Sequence, residues 1–223
     1  TLIEWPDRAA AALPTDRLDI AFSRLTLEGQ PIRHARVTGH GSFAARVERM
    51  AAIRMFLSRS GFGATVRQFM QGDASTRAYE RLTRDGESYI LMNAPQRPDG
   101  PAVRDGKPYS AIAHLADNVT PFIAMTQALR ARGFSAPAIF AADRSTGLVV
   151  IEDLGNELVV AGDPPAPIEE RYEVAADLLA ALHRQPMPDL LPVEAGVTHL
   201  LPRYDFDAFL IEAELLIDWY LPR

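Results

Sequence analysis

The residues best suited to chemistry form a short loop, Gly72-Asp73-Ala74-Ser75-Thr76, which is followed by Arg77. Small side chains leave the backbone N–H groups uncovered, so these groups can approach a ligand closely. The flanking residues alternate with the period of two that is typical of strands. The loop therefore predicts a phosphate-binding site between two strands. A plain hairpin with a polar loop is the alternative, because the loop has one glycine.

A hairpin turn and a third strand are predicted next. Asp85-Gly86 is a favoured two-residue turn, and Tyr89 to Met92 form an apolar run. A glycine-containing loop followed by such a hairpin resembles the front of a protein-kinase-like small lobe.

Composition excludes several classes of site. The chain has 223 residues, of which 48% are hydrophobic and 23% charged, with a net charge of -6 and no cysteine. Disulfides, thiol catalysis and thiolate zinc sites are therefore excluded, and the five scattered histidines do not predict a metal site. No apolar run or leader predicts membrane insertion, so a cytoplasmic location is expected. The negative charge argues against a broad nucleic-acid-binding face and leaves open only a local basic patch, so direct nucleic-acid binding is not expected.

Residues 1–45 are predicted to hold short strands, at Leu2 to Pro6, Leu18 to Phe22 and Gln30 to Thr38. This segment resembles the C-terminal tail of the bacterial ATPase subunit of tRNA threonylcarbamoyladenosine biosynthesis. The motifs that carry the resemblance are Ile3-Glu4-Trp5-Pro6, Leu13-Pro14 and Leu18-Asp19-Ile20. The sequence GxxxxGK[ST] does not occur, so this segment is not expected to hydrolyse ATP through a P-loop. We interpret the chain as an interior fragment of a fusion protein.

Helical and extended patterns alternate after residue 40. An apolar stripe from Phe43 to Leu57 that includes Met50 predicts a helix, in which Met50 and Met55 are expected to pack against the core. A second helix is predicted from Thr120-Pro121 to Gly133, and strands are predicted at 138–142 and 148–151. Residues 97–108 are interpreted as a surface loop, and the chain from Pro167 onward as helical. The predicted class is α+β: a small lobe with a hinge at 46–155 and the start of a helical lobe at 156–223.

A set of motifs resembles the aminoglycoside phosphotransferase-like superfamily, and within it the bacterial anomeric kinases of N-acetylmuramate and N-acetylglucosamine in cell-wall recycling. The motifs are Gly72 to Arg77 with Tyr79, Leu91-Met92-Asn93-Ala94-Pro95, Ile151-Glu152-Asp153-Leu154-Gly155 and Leu182-His183. The resemblance implies ATP and Mg²⁺ as cofactors and a small sugar as the substrate.

The resemblance also implies roles for individual residues. Gly72, Asp73, Ala74, Ser75 and Thr76 would cover the ATP phosphates, with Arg77 as the preferred phosphate cation and Arg81 as the second choice. Backbone groups of Glu152, Asp153 and Leu154 would bind the adenine edge, and Leu91 and Ile151 would sandwich the ring. The alternatives are a solvated strand end for Glu152-Asp153 and a strand-surface position for Arg77.

Two features depart from the kinase pattern. Met92 stands where a kinase's third strand carries its phosphate-pairing lysine, and the helix after Pro121 has no glutamate. No segment fits a catalytic loop, so no catalytic residue is assigned, and the Mg²⁺ ligands are expected beyond residue 223. Three hypotheses follow: an ATP-dependent sugar kinase whose fragment is inactive alone, a tRNA-modification ATPase partner with an appended module, and a non-catalytic nucleotide-binding pseudokinase.

Overall fold

The computed structural model describes residues 3, 4, 8, 12–27, 29–72 and 77–221. The chain forms two compact units, Thr1–Ala64 and Thr65–Arg223. The domain boundaries predicted after residues 45 and 155 stay predictions. Within the described residues, no helix has both the length and the apolar character that crossing a membrane requires.

The first unit contains a long hairpin and one helix. Strands β1 (Arg17–Leu27) and β2 (Gln30–His40) pair antiparallel over their whole length, which confirms the two strands predicted there. The predicted strand at Leu2 to Pro6 falls largely on residues outside the described part of the chain. Helix α1 (Phe43–Arg59) follows, and its start lies against β2, since a Cβ added at Gly39 would stand 2.4 Å from the carbonyl oxygen of Phe43.

The apolar stripe predicted for α1 is only partly buried. Ile53, Phe56 and Leu57 are buried, whereas Met50 is 60% exposed. The buried face is therefore rotated away from Met50, and the packing role expected for that side chain is wrong.

The second unit is organised around a five-stranded antiparallel sheet in the order β3-β4-β5-β9-β8. Its strands are β3 (Val66–Met70), β4 (Ala78–Arg84), β5 (Glu87–Asn93), β8 (Ile139–Asp143) and β9 (Leu148–Glu152). Asp85 and Gly86 both have positive φ, 53° and 83°, as the predicted two-residue turn between β4 and β5 requires.

The connection between β5 and β8 is more structured than predicted. Residues 97–108, expected to be a loop, contain the short strands β6 (Ala102–Arg104) and β7 (Lys107–Pro108), and helix α2 (Tyr109–Ile112) follows. Helix α3 spans Thr120–Ala131, and the side chain of Asn118 accepts a hydrogen bond from the N–H of Thr120 at 2.8 Å. Gly133 ends this helix with a φ of 81°, as predicted.

The core of the second unit lies between the sheet and α3. Directly paired residues on antiparallel strands point to the same face, and successive residues point to opposite faces. Ile90 and Met92 on β5, with Ile151 and Val149 opposite them on β9, cluster with the apolar side of α3. We call this the α3 face of the sheet. Tyr79 and Arg81 of β4 also point to it, because they pair with Met92 and Ile90.

The remaining elements follow β9. They are β10 (Val160–Ala161), β11 (Ala166–Pro167), α4 (Glu169–His183), β12 (Leu190–Glu194), β13 (Val197–Leu200), α5 (Phe206–Leu215) and a π-helical turn (Leu216–Tyr220). The β12–β13 hairpin, which was not predicted, packs on α3, and Gln127 donates to the carbonyl oxygen of Val193 at 3.2 Å. Helix α4 has no buried residue among those described. The predicted α+β class is confirmed.

Polar contacts fix the β6–α2 segment to α5. The Tyr109 hydroxyl donates to the Glu212 carboxylate at 2.6 Å, and Arg104 forms an ion pair with Glu214. The hydrogen bond to Glu212 raises the pKa of Tyr109 to about 12. Asp205 begins α5 by accepting a hydrogen bond from the N–H of Ala208 at 2.9 Å, as expected for a capping aspartate.

Candidate functional site

Two ends of the sheet carry the predicted site. At one end, which we call the loop end, β4 begins at Ala78, which pairs with Asn93, and Asn93 pairs in turn with Leu148. At the other end, which we call the hinge end, β9 finishes at Glu152. The chain leaves the sheet there through Asp153-Leu154-Gly155, and we call residues 152–155 the hinge. Strand β9 has five residues, so at about 3.3 Å per residue the loop end and the hinge end are roughly 13 Å apart. An extended nucleoside triphosphate has a comparable length.

The predicted phosphate loop is described only at its borders. Asp73, Ala74, Ser75 and Thr76 lie outside the described residues. Gly72 and Arg77 border the loop, and a Cβ added at Gly72 would meet the carbonyl oxygen of Arg77 at 3.5 Å, an ordinary contact. The roles expected for the loop stay predictions.

The two residues expected to sandwich one ring point away from each other. Leu91 pairs with Val150 and Ile151 pairs with Ile90, so Leu91 and Ile151 lie on opposite faces of the sheet. Their expected joint role does not fit this register. Ile90 and Ile151 instead stand side by side on the α3 face, each 8% exposed.

Glu152 ties the end of β9 to the segment that leads into β8. Its N–H donates to the carbonyl oxygen of Ala138 at 2.9 Å, and its carboxylate accepts from the N–H of Ala138 at 2.9 Å. The N–H of Glu152 is therefore engaged within the protein.

Asp153 is the most enclosed acid of the hinge, with a side chain that is 9% exposed. Its carboxylate accepts hydrogen bonds from Ser88 Oγ at 2.5 Å, Arg81 Nε at 2.7 Å and the N–H of Gly155 at 3.0 Å. Burial alone would raise the pKa of Asp153, but these donors outweigh it and hold the pKa below the ordinary 3.8. Asp153 is therefore ionised at neutral pH.

Arg81 does not stand near the loop. It lies within β4, four residues after Arg77 in the chain and nearer the hinge end of the sheet, and it also donates to Asn156 Oδ1 at 2.9 Å. The second-choice role of Arg81 as a phosphate cation does not fit this position. Met92, by contrast, lies near the loop end and is fully buried in the core cluster with α3.

Acidic and histidine side chains do not converge into a metal site within the part of the chain that the structure describes.

Replacing Asp153 with asparagine is expected to destabilise the protein by roughly 2 kcal/mol at pH 7, because the buried donors lose a charged acceptor. The lowered pKa of Asp153 means that the carboxylate stabilises the fold above pH 3.8 and that this contribution is lost as the pH falls through the folded-state value. Urea unfolding between pH 7 and pH 3 should show the difference between the two proteins shrinking with acid.

Asp85→Asn is the matched control, since the Asp85 side chain is 91% exposed in the turn of the same sheet. Its effect should stay small at every pH. A difference between Asp153→Asn and the unsubstituted protein that is unchanged from pH 7 to pH 3 would contradict the assignment.

Sequence patterns alone did not show this hinge cluster. From the sequence, Arg81 is named only for phosphate binding, because its actual partners Asp153 and Asn156 are 72 and 75 residues away in the chain. Ser88 and Ile90 were missed. A two-residue turn at Asp85-Gly86 fixes a strand register in which Arg81 pairs with Ile90. The turn alone would therefore have been enough to place Ile90 beside Arg81.

Comparisons with known proteins agree with this architecture. The family model described as the phosphotransferase enzyme family matches residues 65–222. The N-acetylmuramate/N-acetylglucosamine kinase of Caulobacter vibrioides is 43% identical, over 77% of this chain and 50% of that protein. The kinases of the same name from Neisseria meningitidis serogroup B and Pseudomonas aeruginosa are 30% and 29% identical, over 70% and 68% of this chain and 39% and 36% of their own lengths. The chain thus spans half or less of the length of these relatives.

Proposed function

The chain belongs to the phosphotransferase enzyme family, and on that premise we propose that the natural protein transfers a phosphoryl group from ATP to a cell-wall amino sugar, N-acetylmuramate or N-acetylglucosamine. The observation that carries the proposal is the 43% identity with the Caulobacter kinase. The phosphorylated position is expected to be the anomeric hydroxyl, and the expected location is the cytoplasm.

The sheet geometry supports a specific arrangement of ATP. The adenine would lie at the hinge end against Ile90 and Ile151, a dry apolar wall of the kind that nucleotide sites use. Because the N–H of Glu152 is bound to Ala138, the base would be read by the carbonyl of Glu152 and the backbone of Asp153 and Leu154.

The phosphates would then reach the loop end of the sheet. They would be bound there by the backbone N–H groups of residues 72–76 and by the guanidinium of Arg77. These groups together would replace the strand lysine that binds phosphate in protein kinases. Mg²⁺ would accompany the ATP and help to neutralise its charge, with its ligands expected beyond residue 223. Catalysis would rest on positioning and charge neutralisation, and the fragment alone is expected to be inactive.

Gly72→Ala is expected to weaken ATP binding about tenfold, roughly 1.4 kcal/mol, while adenosine binding and the midpoint of urea unfolding stay unchanged. The added methyl group would cover the loop amides, yet it meets the protein only at ordinary contact distance. Isothermal titration of ATP and adenosine into the complete natural protein measures both affinities.

Gly100→Ala is the control for that variant, because Gly100 lies in an open loop where an added Cβ meets nothing within 4 Å. Equal ATP affinities for Gly72→Ala and the unsubstituted chain would show that the loop does not approach the phosphates.

Two other assignments remain proposals. Residues 1–45 lie before the family match. The first alternative is that they are the tail of a tRNA-modification ATPase subunit, and the kinase-like part would then be an appended module of a fusion protein. A P-loop motif upstream in the complete reading frame would support that assignment. The buried Met92 favours a nucleotide-binding pseudokinase as the second alternative, which would bind ATP tightly in the complete protein without turnover.

A further inference from the structure

A polar cluster crosses three neighbouring strands at the hinge end of the sheet. Arg81 on β4, Ser88 on β5 and Asp153 just after β9 all lie on the α3 face, because Ser88 is two residues before Ile90 and Asp153 is two residues after Ile151. Their side chains meet at 2.5 Å for Ser88 and Asp153 and at 2.7 Å for Arg81 and Asp153. We call these three residues the hinge brace.

The brace also holds the backbone that follows the sheet. Asp153 Oδ1 accepts from the N–H of Gly155 at 3.0 Å, which closes a turn over residues 153–155, and Gly155 has a φ of 85°. Arg81 reaches one residue further and donates to Asn156 Oδ1 at 2.9 Å. A side chain on β4 therefore holds both the carboxylate that closes this turn and the side chain of the residue that follows it.

The ion pair of the brace has little exposure to solvent. The Asp153 side chain is 9% exposed and that of Arg81 is 24% exposed, so the pair is largely removed from solvent. A charge-assisted pair in such surroundings is stronger than one in water, and a carboxylate left there without its cation is strongly disfavoured. The cluster lies beside Ile90 and Ile151, the proposed adenine wall, and at the opposite end of the sheet from the loop.

We propose that the hinge brace is a positioning element for the adenine end of the nucleotide: Arg81 fixes the base-reading backbone of Asp153 and Leu154 without touching the nucleotide. This inference rests on the proposed function, because it needs adenine to bind at the hinge. Arg81 is then a positioning residue for the base, and the phosphate charge falls to the loop.

The test compares three probes, namely ATP, adenosine and inorganic tripolyphosphate, each of which is titrated into the complete natural protein. Arg81→Gln is expected to raise the Kd of ATP and of adenosine by the same factor, about tenfold, and to leave the Kd of tripolyphosphate unchanged. Arg81→Lys should recover part of the loss, since an ammonium can reach Asp153 but cannot also hold Asn156 in the geometry of a guanidinium.

A matched control exists on the other face of the same sheet. Arg67 forms a bidentate ion pair with Glu80 at 2.6 and 2.8 Å, and both residues point away from the α3 face. Arg67→Gln breaks a comparable pair between β3 and β4, and it should leave the affinities for all three probes unchanged. An adenosine affinity that falls equally in Arg67→Gln and Arg81→Gln would show a general effect of sheet stability and would overturn the proposal.

The other outcomes are distinct. Unchanged ATP and adenosine affinities in Arg81→Gln overturn the brace, and weaker tripolyphosphate binding with unchanged adenosine binding makes Arg81 a phosphate ligand instead. If circular dichroism shows that Arg81→Gln does not fold, Ser88→Ala removes one donor and must weaken adenosine binding by a smaller factor. A complete, unsubstituted protein that binds none of the probes overturns the proposed function and the brace together. A complete protein that binds them equally well with and without Arg81 overturns the brace alone.

Discussion

Replacing Met92 with lysine, the residue that protein kinases carry at the corresponding strand position, is expected to destabilise the second unit by roughly 3 to 5 kcal/mol, the cost of leaving a buried charge without a partner. Met92 is fully buried, and its cluster contains apolar side chains of β5, β9 and α3. Helix α3, residues 120–131, has no aspartate or glutamate that could pair with an ammonium group. Urea unfolding at pH 7 measures the loss.

The pH dependence of this variant separates charge from shape. Burial would lower the pKa of the new lysine in the folded chain, while the unfolded chain keeps a value of about 10.4. The unfolded state then binds the extra proton, so the stability of Met92→Lys should rise with pH until about 10. Met92→Leu keeps the volume and should cost less than about 1.5 kcal/mol. A lysine variant as stable as the leucine variant would mean that the position has a cation site like that of a kinase.

Gly147→Ala is expected to destabilise the second unit by about 3 kcal/mol, because it combines backbone strain with a collision that side-chain movement cannot relieve. Gly147 has a φ of 64°, and an added Cβ would stand 2.2 Å from the carbonyl oxygen of Ala94 and 3.0 Å from the Cα of Pro95. The close approach exists because the N–H of Ala94 donates to the carbonyl of Gly147 at 2.9 Å. Thermal unfolding followed by circular dichroism measures the change.

Gly86→Ala isolates the strain from the collision. Gly86 has a φ of 83° in the turn between β4 and β5, and a Cβ added there meets nothing within 4 Å. Gly86→Ala should therefore lower the free energy of unfolding by about 1 kcal/mol. Equal losses at Gly86 and Gly147 would contradict a tight contact between the turn before β9 and the end of β5.

The strands of the central sheet were predictable because local rules agree with the tertiary structure there. The Asp85-Gly86 turn fixed the register of β4 and β5, and the apolar run at 148–151 became the buried strand β9. The same rule was available for β6 and β7, which are joined by Asp105-Gly106 with positive φ at both residues. Prolines on both sides of this turn favour a loop assignment instead of strands. Prolines near β12 and β13 favour the same assignment for that hairpin.

The site was predicted less completely, for a physical reason. A run such as residues 89–92 is apolar on both sides, so its pattern does not show which face a residue takes. The joint role expected for Leu91 and Ile151 fails for this reason, because the two side chains point to opposite faces of the sheet. The contacts of Arg81 join residues more than 70 positions apart. Only the assembled sheet brings such residues together, whereas the loop and the hinge were visible as local motifs.

The measurement that tests the central proposal most directly is coupled ADP release by the complete natural protein with ATP and Mg²⁺. N-acetylmuramate and N-acetylglucosamine are supplied separately as acceptors, and sugar-free buffer is the control. The proposed function predicts ADP release that depends on at least one of the two sugars and is close to background without them. Slow ATP hydrolysis that neither sugar changes would contradict it and would favour the tRNA-modification ATPase, and tight ATP binding with no turnover would favour the pseudokinase.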